Sequence, residues 1–120
     1  MKSHNKISGN KGEGIATRYL RNKGYRILMQ NFRTKNGEID IIATKRDTLV
    51  FVEVKTRLST EFGTPLEAIT PRKVITMTRT AEYYKSTHRD LPDLMRLDAI
   101  AITLEPDGEV LEIEHMENIS

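Results

Sequence analysis

The sequence predicts an α/β domain with a mixed central β-sheet flanked by helices, in the order α-β-β-β-α-β-β. Three observations predict it. Two segments carry apolar residues at helical spacing: Ile15, Ala16, Tyr19 and Leu20, then Val74, Met77, Ala81 and Tyr84. Five short apolar-rich runs are separated by turn signals. In "LVFV", residues 49–52, apolar side chains occupy both parities, the pattern of a strand covered on both faces. A chain of 120 residues fits one domain. It can bury about two thirds of the surface its unfolded form exposes.

The elements follow in order. Residues 1–10 are polar, with Gly9 near their end, and are expected to form a flexible N-terminal arm. Residues 11–120 are expected to form a single domain. Residues 11–23 read as the first helix, with Gly24 where a C′ glycine belongs. "YRILMQNFR" is the first strand and "TKNG" the turn after it. "EIDIIA" and "LVFVEVKT" are the second and third strands, joined by "KRDT" as a hairpin. "LSTEFGTPLEA" has the Ser, Thr, Gly and Pro content of an irregular loop. Thr70 is the expected N-cap and Pro71 the N1 residue of the second helix, which "HRDLPD" ends. "MRLDAIAITL", the turn "EPDG" and "EVLEIEHM" then make a closing hairpin. There is no internal repeat.

Composition narrows the classes. Hydrophobic residues make up 38% and charged residues 30%, too apolar for a disordered chain. No cysteine is present, which excludes disulfides and thiolate metal sites. That suits a reducing compartment, and a cytoplasmic location is expected. The first residues hold no apolar h-region, so no secretory signal is expected. No run of apolar residues reaches membrane-spanning length, so no membrane partner is expected. The net charge of +2 permits nucleic-acid binding without demanding it.

The chemistry concentrates in residues 36–57, "NGEIDIIATKRDTLVFVEVKTR". Two strand-like runs there carry Glu38, Asp40, Glu53 and Lys55. Charges are expensive to bury unless paired or bound to metal. Alternation puts Glu38 and Asp40 on one face, and Glu53 and Lys55 on one face of the next strand. A hairpin register could bring Asp40 beside Glu53 and Lys55. Two converging carboxylates would hold a hard cation, Mg²⁺ or Mn²⁺, with the Val54 carbonyl as a further ligand. Lys55 would then orient or help deprotonate the attacking water of a phosphodiester hydrolysis. The same alternation also describes a solvated sheet face with a weak cross-strand ion pair. Ile39, Ile41, Val52 and Val54 favour a central strand over an edge. The loop after Arg57 puts these charges near a strand end, where sites gather.

Asp40 followed by "EVK" on the next strand resembles the D…(D/E)-x-K signature of the restriction-endonuclease-like, PD-(D/E)XK nucleases. The chain as a whole is similar to the YraN-like family of predicted bacterial endonucleases. The matching stretches are "KGEGIATRYLRNKGYRILMQNFR", "GEIDIIA", "LVFVEVKTR", "GTPLEAIT" and "RLDAIAI". That resemblance implies Asp40 and Glu53 as metal ligands and Lys55 as the catalytic lysine. It also points to Glu13, since archaeal-type Holliday junction resolvases carry a metal-site glutamate on the first helix. Glu13 is equally explained as an acid near a helix N-terminus. Ile39 stands where the superfamily pattern has proline, a departure that leaves the carboxylate in place.

Arg33, Arg57, Arg72 and Lys73 are the candidates for binding phosphates, the last two on the first turn of a helix. For each, ordinary surface charge is the plainer explanation. Asp98 sits between apolar neighbours and is expected to pair with an arginine. His4, His88 and His115 are scattered and suggest no zinc site. The expected function is a Mg²⁺- or Mn²⁺-dependent endonuclease acting on DNA, branched or flapped DNA in particular, with a homodimer compatible with the reading. The competing class is a non-catalytic nucleic-acid-binding module in DNA repair, recombination or uptake. A charged scaffold with neither activity is the third.

Overall fold

The computed structural model describes residues 2–63 and 69–120, with side chains from residue 10 onward. The order is α1 (Lys2–Asn22), β1 (Arg26–Thr34), β2 (Gly37–Lys45), β3 (Thr48–Leu58), α2 (Pro71–Thr87), β4 (Leu94–Leu104) and β5 (Val110–Met116). This is the expected α-β-β-β-α-β-β order. The loop stretch at residues 64–68, part of "GTPLEAIT", lies outside the described residues.

One boundary differs. The arm expected over residues 1–10 is helical from Lys2, so α1 starts well before residue 11. Adding residues to an existing helix gains one hydrogen bond each, and no proline interrupts the run. Gly9 costs only about 1 kcal/mol in a helix interior. The far end matches the expectation: Gly24 has φ 92° and Tyr25 N–H donates to the Leu20 carbonyl at 3.0 Å.

The sheet order is β1-β2-β3-β4-β5. Only β3 and β4 run parallel, joined by α2; the other pairs are antiparallel. β3 is therefore central and buried on both faces. Val50 and Val52 pack with Ala16 and Leu20 of α1, while Leu49 and Phe51 pack with Met77, Ala81 and Tyr84 of α2. The both-parity run "LVFV" is the direct cause, since each parity needs its own apolar cover.

α1 meets β3 closely at Gly12. A Cβ built there would collide with the Thr56 side chain. Gly12 weakens the helix but lets its backbone approach the sheet, and so brings Glu13 towards β3. Gly12→Val is expected to cost about 1–3 kcal/mol by overpacking, read as a lowered unfolding midpoint.

A polar cluster ties α1 to β4 and β5. Asp98 is fully buried and accepts both Nε and Nη2 of Arg96, at 2.8 and 2.9 Å. This is the arginine pair expected for it. His115 Nε2 donates to Asp98 at 2.7 Å, and Tyr19 Oη lies 3.2 Å from His115 Nδ1. Since a carboxylate only accepts, His115 carries its proton on Nε2 and takes the Tyr19 hydroxyl on Nδ1. Burial alone would raise the Asp98 carboxyl, but the bonds from His115, Arg96 and the Asn118 amide outweigh it and hold the group below the usual range. Asp98→Ala removes the buried acceptor shared by Arg96, His115 and the Asn118 amide, leaving Arg96 with only Glu117 at 3.4 Å and the Tyr25 hydroxyl. The expected loss is about 3–5 kcal/mol, measurable by urea unfolding.

Candidate metal centre

The candidate site forms where the ladder between β2 and β3 stops. Pairing runs from Lys45↔Thr48 to Ile41↔Val52. One step further, Asp40 would face Glu53, but the two do not pair as strand residues. The Asp40 carboxylate instead accepts the Val54 N–H at 2.7 Å through Oδ2. A side chain thus replaces the missing backbone acceptor, and the carboxylate lies between the strands. The Val54 carbonyl lies on the same edge of β3, because a strand residue turns its N–H and C=O to one side.

β1 is irregular at the same level. Asn31 has φ 54° and falls between the pairs Gln30↔Ile41 and Phe32↔Ile39, opposite Asp40. A left-handed asparagine inside a strand is costly and marks constrained places. Ile39 and Ile42 pack in the same cluster under α2, which regular alternation forbids. The chain around Asp40 therefore departs from an ideal strand.

Glu53 shares the parity of Phe51 and so faces α2. Its side chain is only 4% exposed. Lys55 Nζ lies 3.4 Å and Lys73 Nζ 3.2 Å from the same oxygen, Glu53 Oε2. Lys73 arrives from the first turn of α2. That turn is set by Thr70, whose hydroxyl accepts the Lys73 N–H at 3.1 Å, and by Pro71 at the helix start. Both are the residues expected from sequence.

The electrostatics show how crowded the carboxylates are. Asp40 is pushed up to about 7, first by burial and then by the Glu53 charge; the Val54 N–H works against both. Its carboxyl is within hydrogen-bonding reach of Glu53 and also feels Glu13. Glu13, on α1, is raised by burial, against which Asn31 acts by hydrogen bonding; Glu38 and Glu53 raise it further. An arrangement that holds acids together against their charge is what a cation site needs.

The donor set fits a hard divalent ion. Among the described residues no three acids or imidazoles already enclose a common point. Mg²⁺ does not require that: it is commonly held by one or two carboxylates and keeps several waters. Asp40 and Glu53 would supply the carboxylates and Val54 a carbonyl, with Glu13 near enough for its charge to act on both acids. All donors are oxygen, which suits Mg²⁺ or Mn²⁺ over softer metals.

The structure brings Asp40, Glu53 and Lys55 together, while Glu13 on α1 feels their charge without joining them around a common point among the described residues. Lys73, expected as a phosphate-binding surface residue, is instead in contact with Glu53. Arg72 is exposed on the same turn. Arg33 is in an exposed pair with Glu38 at 2.7 Å, and its charge acts on Glu13. Glu38 turns to this pair and not to Asp40. Arg57 follows Lys55 on the same face of β3. Its Nε and Nη1, with Thr56 Oγ1, are shielded from solvent and have no hydrogen-bond partner among the described residues. Asn31 and the Lys73–Glu53 contact are what sequence reasoning missed. An asparagine inside an apolar strand run was the available signal for the first. The second depends on where α2 lies across the sheet, which no local pattern records.

Comparison with known proteins places the chain in a family. Residues 12–102 match the model of "Uncharacterised protein family UPF0102". The chain is 49% identical over 108 residues to a UPF0102 protein of Syntrophomonas wolfei, covering 89% of this chain and 91% of that one. It is 48% identical over 114 residues to one of Alkaliphilus oremlandii, covering 95% and 97%. With one of Geobacter metallireducens it shares 43% identity over 118 residues, covering 98% and 95%.

Proposed function

The chain belongs to the UPF0102 family, the YraN-like group its motifs resemble, and from its site we propose a restriction-endonuclease-like enzyme that hydrolyses DNA phosphodiester bonds with Mg²⁺ or Mn²⁺. One observation carries the reading: Asp40 and Glu53, both buried, stand within hydrogen-bonding reach of each other with Lys55 alongside. A scaffold gains nothing from such a pair, whereas a cation would neutralise it.

The ion, when bound, supplies Lewis acidity to a phosphoryl oxygen and makes water a better nucleophile. The chain supplies the rest. Val54 N–H fixes the Asp40 carboxylate in the gap between strands. Lys55 and Lys73 hold Glu53 from two directions and prevent its rotation away. Lys55, about one third exposed, also reaches the side from which water and substrate arrive, where it orients the nucleophile and stabilises charge developing on the phosphate. Arg57 has guanidinium donors without a partner among the described residues, and because these are shielded from solvent the side chain would have to turn outward to meet a phosphodiester oxygen. Arg72 adds charge at the helix N-terminus.

The substrate favoured is branched or flapped DNA. The described residues form one small α/β unit, which offers no separate module for reading a long sequence. The test is incubation with linear, nicked, flapped and four-way DNA, with Mg²⁺, Mn²⁺ or a chelator. The reading expects metal-dependent cuts concentrated at branch points. Tight binding without cleavage under either metal would favour the non-catalytic accessory module.

A further inference from the structure

A second cavity, of about 560 Å³, lies at the other end of α2. It is some 20 Å from the metal centre, given 1.5 Å of rise per residue between Lys73 and His88. Three arginines line it from three separate elements: Arg26 opens β1, Arg46 sits in the β2–β3 turn, and Arg89 follows α2. Among the described residues none of the three forms an ion pair, in contrast to Arg33 and Arg96. Asp90 is the one acid in the lining. The helix C-terminus accounts for a cation at Arg89, but not for Arg26 or Arg46, which come from the sheet.

Apart from Thr44, the remaining lining is apolar and aromatic. Leu28, Met29 and Leu91 contribute to it, together with Tyr84 and His88. The Tyr84 and His88 rings stack at 3.9 Å between centroids and 18° between planes, and His88 Nδ1 lies 2.9 Å from the Tyr84 carbonyl. The imidazole is therefore held in place as a flat surface. Unpaired guanidinium groups beside a fixed π-surface match a ligand with a phosphate and a planar ring.

We propose that this cavity binds a nucleoside phosphate, the arginines taking the phosphate and the His88 side taking the base. A free nucleotide and the end of a nucleic-acid strand share that chemistry. The site uses no residue of the metal centre, so the two readings stand or fall separately.

The test is an amide-resolved NMR titration of the whole protein with deoxyadenosine monophosphate, deoxyadenosine, inorganic phosphate and a 5′-phosphorylated oligonucleotide. The monophosphate should shift the Tyr84, His88 and Arg89 signals saturably, about tenfold or more tighter than deoxyadenosine or phosphate alone. The exposed double change Arg46→Ala/Arg89→Ala should weaken it by about tenfold or more while the spectrum stays folded. Competition by the oligonucleotide at the same signals identifies a strand end as the source; its absence identifies the free nucleotide. No saturable shift at this cavity, equal affinity for phosphate alone, or unchanged affinity in the double variant would overturn the proposal.

Discussion

Asp40→Asn is expected to abolish metal-dependent cleavage and also to raise the thermal stability of the metal-free protein at neutral pH. Both effects come from one charge. The native carboxyl is pushed up to about 7 by burial and by Glu53, whereas an unfolded aspartate titrates near 4. The folded state therefore holds that proton more tightly than the unfolded state does. Its contribution to stability is complete below about pH 4 and is lost as pH rises towards 7. Asparagine keeps an oxygen that can accept the Val54 N–H but carries no charge to repel Glu53. We expect a gain of about 2 kcal/mol at pH 7.5, on the order of 8 °C in the midpoint, shrinking towards pH 5. The pH series of melting curves for wild type and variant is the measurement. With Mn²⁺ present the order should reverse, since the ion stabilises only the chain that binds it.

Lys55→Ala should separate catalysis from metal binding. Lys73 remains 3.2 Å from Glu53 Oε2, so the buried carboxylate is not left without a counter-charge and the fold persists. Cleavage should fall by about 10²–10⁴, the range for removing a group that acts on the nucleophile and the developing charge. Affinity for Mn²⁺ should stay near wild type or tighten, because a positive charge has left the vicinity of the ion. Calorimetric Mn²⁺ titration and cleavage rates on one preparation read both. If binding and cleavage fall together, Lys55 is holding the site together instead of acting in the reaction.

These two variants rest on features that differ in how far the sequence reveals them. The element order was legible because each element announces itself locally. Thr70 and Pro71 mark a helix start, Gly24 a helix end, and "LVFV" a strand needing cover on both faces. The acid–acid–lysine set was legible as spacing, Asp40 on one strand and "EVK" on the next. Its geometry was not. Alternation would put Glu38 and Asp40 on one face, yet Glu38 pairs with Arg33 at the surface while Asp40 occupies the gap between strands. The reason is the irregular backbone at Asn31 and the end of the β2–β3 ladder at Ile41. Both are compromises between pairing and packing that no single residue encodes. Lys73 was hidden for a related reason. Its role as a Glu53 partner needs α2 laid across the sheet with its first turn at the end of β3, a tertiary placement set by Met77, Ala81 and Tyr84 packing on Phe51 and Ile39. The early start of α1 was masked by composition, since a polar run without proline suits an arm and a helix alike.

The proposed enzyme requires Asp40 and Glu53 to hold a divalent cation. Anomalous diffraction from a crystal soaked in Mn²⁺ tests it most directly. One strong peak is expected in the gap between β2 and β3, within about 2.0–2.4 Å of oxygens from both Asp40 and Glu53, and no peak there in crystals of Asp40→Asn. A map with no peak at this gap in the wild-type protein, or with manganese bound at another cluster, would contradict it.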